Sequence, residues 1–272
     1  MTSRVPVLLS TSSVFPEPTS AAFEMAATLG YDGLEVMVWT DAVSQDAGAL
    51  QGLSEHYGVP VRSVHAPCLL VTQRVWSADP WERLRRSAQL AESLGARIVV
   101  VHPPFAWQRD YARGFAAGLA RLREQYPTVR FAIENMYPVR MAGRVFVPYA
   151  PGWDPTVPPG FEAYTLDLSH CAASRSDALA MADAMGAGLA HVHLGDGTGE
   201  ARDEHLVPGR GTQPCAALLE SLAGRHYTGA VAVEVATRRA MSRPEREPDL
   251  AESLRFARAH LGAAAQPSTV DA

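Results

Sequence analysis

Lysine is absent from the 272 residues, and all 24 basic side chains are arginine. Chemistry that needs a lysine amine is thereby excluded: Schiff-base aldol cleavage, lysine-anchored pyridoxal phosphate and the phosphate-loop lysine. Cysteine is scarce as well. Cys68, Cys171 and Cys215 are odd in number and widely spaced, so they match neither a disulfide framework nor a Cys-x-x-Cys zinc site. No apolar run approaches the ~20 residues of a membrane-spanning helix, and the first ten residues lack the apolar core of a secretory signal. A cytoplasmic protein with no membrane partner is the expectation. The net charge of -5 offers no global attraction to nucleic acid, which makes a nucleic-acid partner disfavoured without excluding a local basic patch.

What is present is a rhythm. An amphipathic helix, a Gly or Tyr-Pro stop, four or five apolar residues and a titratable residue follow one another repeatedly. The helix near 19–29 stops at Gly30 and leads to Gly33-Leu-Glu35. The one near 46–57 stops at Gly58 and leads to Val61-Arg-Ser-Val-His65; the one near 80–94 stops at Gly95 before Arg97-Ile-Val-Val-Val-His102. A helix near 111–126 meets Pro127 and precedes Phe131-Ala-Ile-Glu134. Residues 136–162 are too dense in proline and aromatics for a regular element and read as a long loop walling a pocket. Then come the strand Tyr164 to Asp167 with His170 just after it, a helix near 176–185, the strand Gly188 to His193, a helix near 214–223, the strand Gly229 to Glu234 and a last helix near 248–261. With Val5 to Leu9 as the first, eight near-continuous apolar strands alternate with helices. Such a pattern closes into a single (β/α)8 TIM barrel over residues 1–262, with a polar, disordered tail over 263–272. No Gly-x-Gly-x-x-Gly follows the first strand, which lowers the alternative of an open doubly wound sheet.

In a barrel of this kind the active site lies at the C-terminal ends of the strands. There the sequence places Glu35, His65, His102, Glu134, Asp167, His193 and Glu234. One strand-end histidine is ordinarily a satisfied core residue. Six successive strands ending in His, His, Glu, Asp, His and Glu are not, because unpaired buried ionisable groups are costly and a shared metal offsets the cost. After His193 a glycine-rich loop carries Asp203 and His205, two apart and so same-facing in an extended segment, as a returning pair of ligands. His191 shares the strand face of His193 and lies deeper.

The segments Leu29-Gly-Tyr-Asp-Gly-Leu-Glu35, Ile133-Glu134-Asn135 and His191-Val-His-Leu-Gly-Asp196 resemble the sugar isomerase/epimerase branch of the xylose isomerase-like barrel superfamily, over nearly the whole chain. The resemblance implies one divalent ion, often manganese, on Glu134, Asp167, His193 and Glu234. The wider set, with His65, His102, the Asp167-x-x-His170 pair and the Asp203-x-His205 pair, is similar to the three-metal site of endonuclease IV, so that one to three ions, manganese or zinc, are expected. Around those nine positions the chain departs from the nuclease: Met-Tyr-Pro-Val follows Glu134-Asn135, and Gly209-Arg210-Gly211 carries arginine where the nuclease pattern has glutamate. Members of the superfamily often associate through barrel helices, so a homo-oligomer is expected.

Two reactions fit. In the first, an isomerase or epimerase acts on a sugar, polyol or sugar phosphate through a metal-stabilised enediolate, with Glu134 and Glu234 removing and returning the proton. Arg210, with Arg109 or Arg140, would clamp a phosphate. Trp107, with Trp76 and Trp153, would pack on the sugar ring, and Glu35 would contact substrate or cap its strand. In the second, a di- or trinuclear zinc site hydrolyses a phosphoester, abasic DNA included, by metal-activated water. Arg238, Arg239, Arg243 and Arg246 are the candidates for DNA contact, but Glu245 and Glu247 interleave with them. A non-enzyme that keeps the barrel as a binding module would be marked by lost ligands, and none is lost.

Overall fold

The structure is a computed structural model and describes residues 4–262 apart from 142, 159, 226 and 239–241. Eight parallel strands form a closed barrel. They are β1 (Val7–Ser10), β2 (Leu34–Met37), β3 (Val61–His65), β4 (Ile98–Val101), β5 (Arg130–Glu134), β8 (Tyr164–Asp167), β9 (Leu189–Leu194) and β10 (Ala230–Val233). The order around the barrel is β1-β10-β9-β8-β5-β4-β3-β2, closing on β1. The eight expected strands are all there. The tail over 263–272 lies outside the described residues.

Alternation along each strand sorts the core into two zones. Val7, Leu9, Val36, Val64, Val99, Val101, Ile133, Leu166, Val192, Leu194, Val231 and Val233 belong to the large apolar cluster that also takes in the surrounding helices. The positions between them face the barrel axis, and there, apart from Leu8 and Val100, the side chains are small or polar: Ala132, Ala230 and Ala232 with Ser63, Thr165, His191 and Glu35, all buried. Burial of the first set supplies the driving force, at roughly 1.5–3 kcal/mol per large apolar side chain. The second set leaves room for chemistry.

Helices α1 (Thr19–Leu29) and α2 (Ala47–Tyr57) end at the expected glycines, with Gly30 and Gly58 at φ 83° and 66°. Helices α3 (Pro80–Ser93) and α4 (Arg109–Gln125) cover β3 to β5. Two local readings are corrected. The segment 136–162 contains a hairpin, β6 (Val139–Met141) against β7 (Arg144–Phe146). Its prolines flank the two strands rather than interrupt them, so the ladder loses no donor. The strand β8 ends at the expected Asp167, and His170 follows it on a short helix. Asp167 accepts from the His170 backbone N–H at 2.7 Å and so caps the short helix α5 (Leu168–Ser174), which carries His170. After α6 (Ala178–Met185) and α7 (Cys215–Gly224), the last helix α8 (Arg243–Gly262) starts five residues before the expected Pro248. Among the described residues no helix is long and apolar enough to cross a membrane.

The loop after β9 is folded around one buried carboxylate. Asp196 Oδ1 accepts from the backbone N–H of Gly197 and Gln213, at 2.8 and 3.0 Å, and Oδ2 from those of Gly209 and Gly211, at 2.9 and 3.0 Å. A Cβ at Gly211 would stand 2.3 Å from Asp196 Oδ1 and 2.5 Å from the Gly197 carbonyl. Gly211→Ala is therefore expected to cost about 1–3 kcal/mol through overpacking, read as a lower urea midpoint with unchanged slope. An unchanged midpoint would mean that this loop yields without cost.

Candidate metal centre

The barrel mouth holds three overlapping groups of side chains. In the first, His65 ends β3, His102 follows β4 and Glu134 ends β5. His102 Nε2 lies 2.9 Å from Glu134 Oε2, His65 Nε2 lies 3.4 Å from the same oxygen, and the two imidazole nitrogens are 3.2 Å apart. The second gathers Glu134, Asp167, His193 and Glu234 from β5, β8, β9 and the end of β10. His193 Nδ1 stands 3.0 Å from Glu134 Oε1, 3.5 Å from Asp167 Oδ2 and 2.9 Å from Glu234 Oε2. The third joins Asp167, His170 and His205. Asp203 closes it, with Oδ2 3.4 Å from His170 Nε2 and 2.8 Å from His205 Nε2.

These residues fit a divalent ion on three counts. Bonds of about 2.1 Å put neighbouring ligand atoms roughly 3.0–3.4 Å apart, close to the separations just given. Glu134 Oε2 and Asp167 Oδ2 are buried with no hydrogen-bond donor directed at them among the described residues, an orphaned state that a cation would relieve. Finally, the tautomers are set from behind. His65 Nδ1 lies 3.0 Å from the Ala66 carbonyl, His170 Nδ1 2.8 Å from that of Asn135, and His205 Nδ1 3.0 Å from that of Glu234. With the proton on Nδ1, each ring turns its Nε2 lone pair to the site.

His205 holds φ at 46°, a left-handed conformation that costs a non-glycine residue of order 1–3 kcal/mol. Ser169 Oγ accepts its backbone N–H at 2.9 Å, and its carbonyl accepts from Ala236 N–H at 2.7 Å. Those bonds fix the strained residue against β10.

A cavity of about 410 Å³ opens above the groups. His65, His102, Glu134, His170, Asp203, His205 and Glu234 line it, together with Thr11, Ser12, Phe15, Met37, Trp39, Asp41, Leu69 and Arg238. Thr11, Ser12, Phe15 and Trp39, after β1 and β2, carried no charge or spacing signal, yet the barrel rule that strand-to-helix loops build the site points to them. Ser12 donates to Glu234 Oε1 at 2.9 Å. Three expected substrate contacts are corrected. Arg210 is turned outward to Asp249 and Glu252 of α8, at 2.8 and 2.5 Å. Trp107 is half exposed and stacks on Phe105, with ring centroids 4.5 Å apart, outside the cavity lining. Glu35 lies fully buried beneath the groups, not in the cavity. Arg140 is spent on the Ala173 and Ser174 carbonyls, Arg243 pairs with Glu24 and Glu247, and Arg246 is buried against Glu17. Arg239 falls outside the described residues.

The family model for the xylose isomerase-like TIM barrel matches residues 23–260. The chain belongs to that family. An uncharacterized protein of Mycobacterium leprae (strain TN) is 52% identical over 277 residues, covering 94% of this chain and 98% of its own. An uncharacterized protein of Mycobacterium tuberculosis (strain ATCC 25618 / H37Rv) is 51% identical over 276 residues with the same coverage. Among solved structures, a D-tagatose 3-epimerase-like protein superposes with a TM-score of 0.73 at 22% identity, over 95% of this chain and 98% of that one. D-psicose 3-epimerase from Clostridium cellulolyticum H10 does so at 0.68 and 17%, over 94% and 99%. At these identities the superpositions establish the fold of this xylose isomerase-like barrel.

Within this member of the family, burial opposes charge at Glu134, Asp203, Glu234, His170, His193 and His205, and the opposite charges alongside outweigh it. Burial would raise the carboxyls of Glu134 and Asp203, but the imidazoles facing them hold both well below the ordinary range; Glu234, facing His193 and His205, is brought to about 2. His193 and His205 are pushed well above the ordinary imidazole value by their carboxylates, and His170, between Asp167 and Asp203, to about 10. At His102 desolvation prevails and lowers the value. Protons thus hold the metal-free cluster together. Because His170 is raised, its stabilising contribution is full below about pH 6.5 and is lost as pH rises through about 10. Glu234 is depressed, so its share is present above about pH 4.3 and is lost toward about 2. Chelator-treated protein is expected to lose melting temperature between pH 6.5 and 10, whereas zinc-loaded protein gains affinity over the same window as ligand protons leave. A flat apo-protein profile would contradict this charge assignment.

Proposed function

We propose that this chain is a divalent-metal-dependent isomerase or epimerase of an unphosphorylated sugar or polyol. The observation that carries the reading is the pair Glu134 and Glu234, which stand 3.0 and 2.9 Å from one imidazole nitrogen and line the same cavity. They come from β5 and β10, separated in the barrel by β8 and β9, and so approach from different walls. A divalent ion held by Glu134, Asp167, His193 and Glu234 supplies Lewis-acid polarisation of a carbonyl and its neighbouring hydroxyl. Each glutamate keeps a second oxygen for proton transfer at the carbon between them. On Glu234 that oxygen is Oε1, held in line by the Ser12 hydroxyl. Phe15, Met37, Trp39 and Leu69 form an apolar wall for the carbon face of the substrate and keep water from the transferred proton.

Recognition of a phosphate would call for guanidinium groups in the cavity. Arg238 is the one arginine among its described lining residues, and the carboxylates of Glu17 and Asp41 share that lining. With Glu17 paired to Arg246, this lining offers a DNA backbone no cluster of free positive charge. Solved relatives of the fold include D-allulose 3-epimerase from Methylomonas sp. in complex with D-allulose, which supports a small carbohydrate substrate.

One observation favours a second reading, phosphoester hydrolysis: the His65–His102 and His170–Asp203–His205 groups exceed what proton transfer requires. Metal content per chain, on protein purified without chelator, separates the two. About one ion per chain and C–H exchange of a ketohexose panel in deuterium oxide are expected, with Glu134→Gln and Glu234→Gln each slowing exchange by about 10²–10⁴-fold. Close to three ions, with hydrolysis of p-nitrophenyl phosphate and no exchange, would replace the isomerase by the phosphoesterase.

A further inference from the structure

Beneath the ligand atoms lies a second buried tier that proton transfer does not use. Glu35 of β2, Ser63 of β3 and His191 of β9 are fully enclosed. The register brings them together: Glu35 stands opposite Ser63 on the neighbouring strand, and His191 precedes His193 by two residues on the same face. Glu35 Oε2 accepts from the Ser63 hydroxyl at 3.0 Å and lies 2.7 Å from His191 Nε2. Its other oxygen, Oε1, lies 3.0 Å from His193 Nε2. Glu35 reaches His193 through the barrel interior, past β1 and β10, the second of which has only Ala230 and Ala232 at its inward positions.

His193 therefore has one nitrogen in each tier. A neutral imidazole offers a lone pair at Nδ1 only when its proton sits on Nε2, and a buried N–H needs an acceptor. No water reaches this ring, which is fully buried. Glu35 Oε1 and His193 Nε2, 3.0 Å apart and with no other hydrogen-bond partner among the described residues, are left to each other, and the Ser63 hydroxyl on Oε2, with His191 Nε2 2.7 Å away, keeps the carboxylate from swinging up to join the ligand atoms. For the three other histidines with a fixed tautomer a backbone carbonyl does this work. For His193 a full charge does it, which also strengthens the imidazole as a donor.

Resting on the metal reading above, we propose that Glu35 is a positioning residue, anchored by Ser63 and His191, that holds His193 as the Nε2-protonated tautomer and so presents Nδ1 to the divalent ion shared with Glu134, Asp167 and Glu234. Zinc titrated into chelator-stripped full-length protein, in competition with a chromogenic chelator, tests it. Glu35→Gln keeps the side-chain shape and is expected to bind the tightest zinc about 10–100-fold more weakly. Long-range 1H–15N spectra of the zinc-loaded proteins give the readout that loss of packing would not move: the wild type is expected to carry the His193 proton on Nε2, and the variant to lose that preference. Unchanged affinity in Glu35→Gln with Nε2 still protonated overturns the proposal, as does a wild-type proton on Nδ1. So does an extra equivalent of zinc in the wild type that Glu35→Gln and His191→Gln each abolish, since the lower tier would then be a ligand set. A wild type that takes up no zinc overturns the metal reading along with it, whereas equal affinities overturn this proposal alone. Should Glu35→Gln fail to fold, Ser63→Ala carries the same comparison with an expected several-fold weakening, and no change there counts against it.

Discussion

Charge balance in a dry interior is the constraint on which this structure turns. Glu134, Asp167, Asp203 and Glu234 face His65, His102, His170, His193 and His205 at one end of a closed sheet. Each ion alone would cost several kcal/mol to bury. Together they are tolerable only while protons or cations keep the carboxylates compensated. Glu134 is the junction, with Oε2 toward His65 and His102 and Oε1 toward His193. Removal of its charge would leave His65 and His102 without the carboxylate they face, while His193 would keep Asp167 and Glu234.

Rigidity is unequally shared among the groups. His65, Glu134, Asp167 and His193 belong to barrel strands, and His102 and Glu234 follow β4 and β10 directly, so parallel register fixes their places as it fixes the fold. His170, Asp203 and His205 have no such support. The first depends on the Asp167 cap, and the other two depend on a loop that Asp196 folds and Ser169 tethers through Asp203 Oδ1 and the backbone of Glu204 and His205. The left-handed backbone of His205 shows that the loop is held in place against its own preference. Strain of this kind persists only where the surroundings over-determine the conformation.

Much of this was legible beforehand, and for a definite reason. An apolar run of four or five residues that ends in an ionisable one states both the strand and the end from which the side chain emerges. His65, His102, Glu134, Asp167, His193 and Glu234 were readable on that basis. Arg210 was misplaced because Gly-Arg-Gly reads as a mouth loop, while its partners Asp249 and Glu252 lie some 40 residues away on a helix whose packing no local pattern reveals. Trp107 was misplaced because an aromatic in a loop does not declare which ring it will stack on. Ser12, Phe15 and Trp39 went unnoticed because uncharged residues after short strands look like ordinary connections. The hairpin at 139–146 was hidden by proline counts, where what matters is whether a proline falls inside a ladder.

Nine ligand-type residues do not by themselves dictate three ions. Asp167 and His193 are absent from the cavity lining, whereas His65, His102, His170, Asp203 and His205 all face it. The two ligand-type residues hidden from the cavity thus both belong to the central group, although Asp167 also caps α5 and joins the third group. Those of the two outer groups present ring nitrogens or carboxylate oxygens to the space where a substrate would lie. For a polyol, whose hydroxyls each donate and accept, a wall of imidazoles with backbone-fixed tautomers and one carboxylate is a ready set of partners. The same wall offers a phosphate dianion little unless cations fill it first. With one central ion the outer histidines and Asp203 stay available to the hydroxyls of a polyol, which is what the proposed isomerase reading calls for.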